Sequence, residues 1–193
     1  MAGDRHPRGV WRPTPDQLEG ARGWAVKDVI KPGLDLLFVG INPGLWSGAV
    51  GHHFAHPSSR FWKALHLAGF TPHLLTSFEE RDLLSLGLGL TNLVDRATPA
   101  ARELSRAELR EGALKLKRRV SRYRPARLAM LGVGFYRMAF DRPLAGVGPQ
   151  QELVAGALVW VLPDPSGLNA HYPIPEAARE FMKLRDAMHL GSG

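Results

Sequence analysis

Two turn-rich stretches carry an amide and a carboxylate in positions suited to chemistry at a sugar carbon. In Gly40-Ile41-Asn42-Pro43-Gly44, two glycines and a proline force a sharp turn and leave backbone N–H groups free to approach a ligand. Asn42 projects from that turn, and its amide both donates and accepts, so it can hold a water molecule or contact a base edge. In Pro163-Asp164-Pro165-Ser166-Gly167-Leu168-Asn169, Asp164 follows an apolar run, as Asp95 does in Leu93-Val94-Asp95-Arg96. Either carboxylate can orient water, take a proton or stabilise a developing cation. Phe54, between small and turn-forming residues, offers a flat ring on which a base can stack. Leu168, an apolar side chain at the tip of a Gly- and Pro-framed loop, suits a wedge pushed into a base stack. His52, His53 and His56 suggest a metal, but no Asp, Glu or Cys stands near them in sequence and adjacent histidines do not easily turn to one ion. No metal or cofactor is expected. Each residue also has a plain structural reading: Asn42 in a simple turn, Asp95 paired with Arg96, Asp164 bracing its loop, Leu168 tucked onto the core.

These residues need elements to position them. Four short apolar runs closed by Gly, Pro, Asn or Asp read as buried strands: 36–39, part of 86–94, 128–131 and 158–162. Between them lie helical patterns over 60–68, after a turn opened by the capping box Ser77-x-x-Glu80, and after a second box, Ser105-x-x-Glu108. The helix after Ser105 places Leu109, Ala113, Leu116, Val120 and Tyr123 on one stripe and Lys115, Lys117, Arg118, Arg119 and Arg122 elsewhere. A last helix opens at Pro175 with Ala177, Phe181, Leu184 and Met188 on one face. Alternating strands and helices predict an α/β fold, a three-layer α/β/α sandwich around a short, mainly parallel sheet, with ligands bound beyond the carboxyl ends of the strands. Residues 1 to about 28, rich in Pro, Arg and Gly, read as a loosely attached extension before one domain over 29–190.

Composition narrows the class. The chain has 193 residues, enough for one ordinary domain core, and no cysteine, which removes disulfides, cysteine-zinc sites, iron–sulfur clusters and thiol nucleophiles together. No apolar stretch approaches the roughly 20 residues that span a bilayer, so a soluble, cytoplasmic, nucleoid-associated protein is expected. The net charge is +7, which favours a polyanionic partner because each neutralised phosphate releases counterions. Between 101 and 127 there are ten Lys or Arg against three Glu, an excess equal to that of the whole chain. Lys115, Arg118, Arg119 and Arg122 are therefore the candidate phosphate contacts, the alternative being a solvated helix face.

Taken together, Gly40-Ile41-Asn42-Pro43-Gly44, Phe54-Ala55-His56-Pro57 with Arg60-Phe61-Trp62, Leu93-Val94-Asp95-Arg96, and Leu162-Pro163 with Pro165-Ser166-Gly167-Leu168 resemble the mismatch-specific uracil-DNA glycosylases, the branch of the uracil-DNA glycosylase superfamily that includes thymine-DNA glycosylase. The resemblance runs from about Asp28 to the last helix. It implies a DNA-repair hydrolase that flips uracil from a G·U mispair and cuts its N-glycosidic bond. It further implies that Asn42 positions the attacking water, that Phe54 lies under the extruded uracil and that backbone around Ile41 and Phe54 reads the uracil edge. Gly44 and Ser47 then belong to the pocket, Ser47 near its entrance. Leu168 becomes the wedge, with Gly167 and Asn169 on the orphan guanine. Two positions depart from the family pattern: Asp164 stands where an Asn is usual, and Asn169-Ala170 replaces a Ser followed by a basic residue. Which of Asp95 and Asp164 works in catalysis stays open. No lysine in these loops offers a Schiff-base nucleophile, so a monofunctional enzyme acting as a monomer on double-stranded DNA is expected. The rivals are a catalytically silent nucleic-acid-binding domain and a Rossmann-like nucleotide enzyme, the latter without its glycine fingerprint here.

Overall fold

The computed structural model describes residues 12–167, 169 and 171–190. Leu168 and Ala170 lie outside these residues, so the wedge expected at Leu168 has no structural account here.

Five strands form one sheet: β1 (Leu36–Gly40), β2 (Leu88–Asn92), β3 (Arg127–Leu131), β4 (Gly148–Pro149) and β5 (Leu158–Leu162). Their order across the sheet is β2-β1-β3-β5-β4, with all pairs parallel except β4 on β5. The parallel strands are largely buried on both faces, which is why β1, β5 and β3 after Arg127 are continuous apolar runs rather than alternating ones. Leu36 and Phe38 of β1 pack into one cluster, with Phe61 and Leu65 of α3 (Phe61–Leu67) and Phe181 and Leu184 of α6 (Ile174–Leu190). Leu37 and Val39 point the other way, to Leu109, Leu116 and Val120 of α4 (Arg106–Tyr123) and Tyr136 of α5 (Val133–Phe140). The result is the three-layer α/β/α arrangement. Burying each such aliphatic side chain contributes about 1.5–3 kcal/mol.

β1 lies between β2 and β3, so the chain leaves it in one direction and returns past it in the other. Connections therefore diverge at the carboxyl ends of β1 and β3, where open α/β sheets bind ligands. Two short helices were not evident from the sequence: α5, and α2 (Leu45–Val50), which follows the Asn42 turn. No helix among the described residues is long and apolar enough to cross a membrane.

Two expectations need correction. Residues 12–28 are not a loose extension: α1 (Pro15–Gly20) is closed by a capping box between Thr14 and Gln17, Ala21 is fully buried, and Asp28 binds Thr91 and Arg119. Gly48 of α2 accepts this close packing because a Cβ there would sit 2.8 Å from that of Ala97 and 3.6 Å from that of Ala21. The turn expected to open at Ser77 and Glu80 opens one residue earlier. Thr76 caps a 3-10 helix over Ser77–Leu86, with Glu79 as its reciprocal partner. Both pairs obey the same spacing, and burial decides between them: Glu79 is exposed, whereas Glu80 is turned inward.

Candidate active site

The Asn42 amide is fixed in one orientation. Its Nδ2 donates to Thr98 Oγ1 at 2.8 Å, to Arg96 O at 3.0 Å and to Pro43 O at 3.1 Å. Two of these partners are carbonyl oxygens, which only accept, so the nitrogen must face them and Oδ1 must face away. The oxygen is thereby presented as an acceptor, the polarity needed to hold a water by its hydrogen. The brace reaches further out: Leu93 and Val94 N–H groups extend the β1–β2 ladder onto Gly40 and Ile41, and Arg96 Nε pairs with Glu108 Oε1 at 2.5 Å. That pair, with the Ser105 cap, holds the Glu108 carboxyl down at about 2. The loop carrying Asp95 to Thr98 is thus fastened to the start of α4.

The Phe54 ring stacks on Phe61, centroids 4.1 Å apart and planes 20° apart, and packs beside Gly40. A Cβ on Gly40 would come within 3.3 Å of the ring and 2.6 Å of Asn92 Oδ1, so the glycine lets Phe54 and Asn92 meet over the strand end. Phe54 itself has φ of 51°, a left-handed conformation that costs a bulky L-residue about 1–3 kcal/mol and persists only where surroundings over-determine it. Ser47 is buried and its Oγ accepts from Ala55 N–H at 3.2 Å, so it fastens the Phe54 loop from beneath; Gly44 is exposed as the cap of α2. Ile41 packs against Gly132 at the end of β3.

Asp164 leaves β5, one strand beyond β3, and so stands roughly 10 Å across the sheet edge from β1, given strand spacings near 4.8 Å. Its Oδ1 accepts from Ser166 N–H at 2.9 Å. Burial pushes its carboxyl above the usual aspartate range, the Ser166 bond offsetting only part of this, and no cation stands beside it among the described residues. Asp95 differs. It lies one residue past Val94, near Asn42 in the backbone ladder, but its side chain is 48% exposed and turned to Arg119 at 3.5 Å.

The basic helix is only partly brought to this edge. α4 runs back from the end of β2 toward the start of β3, and Gly33 N–H, just before β1, donates to Tyr123 O. Arg118 and Arg122, near that carboxyl end, are exposed toward the opposite edge of the sheet. Arg119 is mostly buried and committed to Asp28 at 2.8 Å, Asp95, and Asn92 O at 3.1 Å. Lys115 pairs with Glu111 at 3.1 Å. A groove of about 300 Å³ between α4 and α5, near Leu114 and Leu153, lies outside this site and holds none of these groups.

Three residues to which the sequence assigns no place in the site complete the picture. Arg60 is the first. Its guanidinium donates to the carbonyls of Asn169 at 2.5 Å, Tyr172 at 2.7 Å and Gly167 at 3.1 Å, and its N–H to Pro165 O, so one side chain gathers the loop after β5. Gly167 is pressed so closely on Ser58 that a Cβ would lie 2.5 Å from its Oγ. Arg60→Met is expected to lower stability by about 2 kcal/mol, the scale of losing charge-assisted bonds to otherwise unpaired carbonyls, and to open this loop to limited proteolysis. An unshifted melting temperature with unchanged cleavage would mean that the loop holds itself. Asn92 is the second: it is buried at the end of β2 and its side-chain amide makes no hydrogen bond among the described residues. Its signal was a polar pair, Thr91-Asn92, closing the run Leu88-Gly89-Leu90. Glu80 is the third. Both its oxygens are taken by His52 and His53 at 2.8–3.0 Å, so the carboxylate missing beside the histidines in sequence comes from elsewhere in the chain. The described residues hold no group of three or more His, Asp or Glu side chains arranged as a metal site.

An amide with its oxygen turned outward, a stacked ring and a partly buried carboxylate thus stand along the carboxyl edge of a parallel sheet. The family model of the uracil DNA glycosylase superfamily matches residues 27–184, which takes in every one of these groups. The chain belongs to the uracil DNA glycosylase superfamily and is a DNA-repair glycosylase.

Proposed function

We propose that this protein removes uracil from G·U mispairs in duplex DNA as a monofunctional hydrolase, leaving an abasic site. The orientation of Asn42 carries the reading. With Nδ2 consumed by Arg96, Pro43 and Thr98, Oδ1 is left to hold a water at the edge where Phe54 offers a ring face for a base.

Breaking the bond between the base nitrogen and C1′ leaves the electron pair on uracil and positive charge on the sugar. Water held by Asn42 Oδ1 adds its oxygen to C1′ and gives up a proton. Asp164, roughly a nucleoside's width away across the sheet edge, stabilises the cationic sugar and can take that proton. The unpaired amide of Asn92 and the backbone near Ile41 and Phe54 hold the departing uracil. Fixed dipoles here act without the reorganisation that water would need. Extruding a base costs a few kcal/mol and less from a mispair, so preference for G·U over A·U comes partly from the duplex. Gly167 and Asn169, on the loop that Arg60 gathers, face the orphan guanine in this reading.

The deciding experiment is a glycosylase assay on matched G·U and A·U duplexes, with free uracil and alkali-sensitive sites quantified. Release of uracil, faster from G·U, with strand cleavage only after alkali, is expected. Tight DNA binding with no uracil released would instead make the protein a silent binder, and equal rates on the two duplexes would remove mismatch preference.

A further inference from the structure

We infer that Glu80 is a positioning residue for the base-stacking ring, acting through the two histidines that precede Phe54; this rests on Phe54 serving as the platform proposed above. The segment 51–54 contains two residues in left-handed conformation, Gly51 at φ 75° and Phe54 at φ 51°. Glycine adopts this freely, but phenylalanine does not, so something outside the segment must hold it. Two buried side chains do so. Ser47 Oγ takes the N–H of Ala55, immediately after Phe54. Glu80 takes three groups just before it: His53 N–H at 2.8 Å and His53 Nδ1 at 3.0 Å on Oε2, and His52 Nδ1 at 2.8 Å on Oε1.

The carboxylate suits this task because it is acceptor-only and has room for all three donors. Its side chain is 6% exposed. Burial alone would raise its proton affinity, but the bonds from His53 and His52 outweigh that and keep it ionised. Glu80 reaches the loop from a separate 3-10 helix, whose own cap uses Thr76 and Glu79 and leaves Glu80 free to turn inward. No atom of Glu80 is placed at the base. It fixes the backbone from which the ring is hung, while Phe61 and Gly40 fix where the ring lies.

Glu80→Gln tests this with little change of shape, since an amide offers one acceptor oxygen and turns N–H donors toward histidine N–H groups. Single-turnover excision from G·U is expected to fall about tenfold, on the scale of a misplaced positioning contact. Affinity for a duplex carrying an abasic-site analogue opposite guanine should not change, because that ligand has no base to stack. The discriminating measurement is a double-mutant cycle: in a Phe54→Ala background, Glu80→Gln should cost little more. Equal losses in both backgrounds, a parallel fall in abasic-site affinity, or an unchanged rate would overturn the inference. If Glu80→Gln does not fold, His52→Ala removes one of the three bonds at a partly exposed position and enters the same cycle. A wild-type protein that releases no uracil fails the functional reading, whereas additive variants in an active protein fail this inference alone.

Discussion

Asn42→Ala is expected to slow single-turnover excision of uracil from a G·U duplex by about 10²–10³-fold, by analogy with the loss of one preorganised oxyanion-hole donor. Affinity for the duplex should stay close to wild type, because the role proposed for the amide is to hold water rather than to contact phosphate. The magnitude follows from fixation of the group. The two Nδ2 hydrogens, shared among three acceptors, hold the side chain in one orientation, so in the proposed mechanism Oδ1 meets its water without reorganisation. Asn42→Asp separates orientation from acceptor strength. It keeps an oxygen toward the water but sets a second against Arg96 O and Pro43 O, acceptor on acceptor, which costs about 1–3 kcal/mol of desolvation and repulsion. It should therefore lower both rate and melting temperature, whereas alanine lowers mainly the rate. A loss under about tenfold for Asn42→Ala would show that a carboxylate carries most of the water activation.

Much of this arrangement was legible because the physics that sets it is local. Parallel strands buried on both faces must be apolar throughout, so 36–39, 128–131 and 158–162 stood out, and each strand found contains or matches its run. The Ser105 and Glu108 box was read correctly because only one pair there has the right spacing. At Thr76-Ser77-Phe78-Glu79-Glu80 two pairs do, and the choice rests on which glutamate turns inward to histidines 27 and 28 residues away. Arg60 shows the same gap more sharply. Its carbonyl partners lie more than a hundred residues downstream, and no spacing rule connects them. The clustered positive charge of 101–127 was also visible, but not its direction: a right-handed return from β2 to β3 carries Arg118 and Arg122 away from the strand ends that hold the site. Counting charge along a helix cannot say which end of the sheet that helix serves.

Asp164→Asn is expected to reduce excision at neutral pH by about 10²-fold, in the range of lost general-base assistance, while raising the melting temperature. The two effects share one cause. Burial without a cationic partner raises the carboxyl above its ordinary value near 3.9, so the folded protein holds the proton more tightly than the unfolded chain. A raised folded value means that the group's stabilising contribution is present at low pH and is lost as pH rises through the folded value. At neutral pH the ionised Asp164 therefore costs stability, which asparagine, neutral throughout, recovers. The melting-temperature gap between variant and wild type should close as pH falls through the interval between the ordinary and the raised value. Activity should run the other way. Protonation of Asp164 removes the negative charge that the proposed mechanism sets against the sugar, so wild-type excision should show an acid limb displaced above the ordinary aspartate range. Asp164→Asn should lack that limb and keep the residual rate supplied by Asn42. Asp95→Asn is the internal control: its half-exposed carboxylate is paired with Arg119, and its loss should leave the limb in place. Should Asp95→Asn instead abolish turnover while Asp164→Asn leaves rate and pH profile unchanged, the working carboxylate is Asp95. Burial of Asp164 would then be a property of its turn, set by Ser166 N–H and the packing of the loop on Arg60.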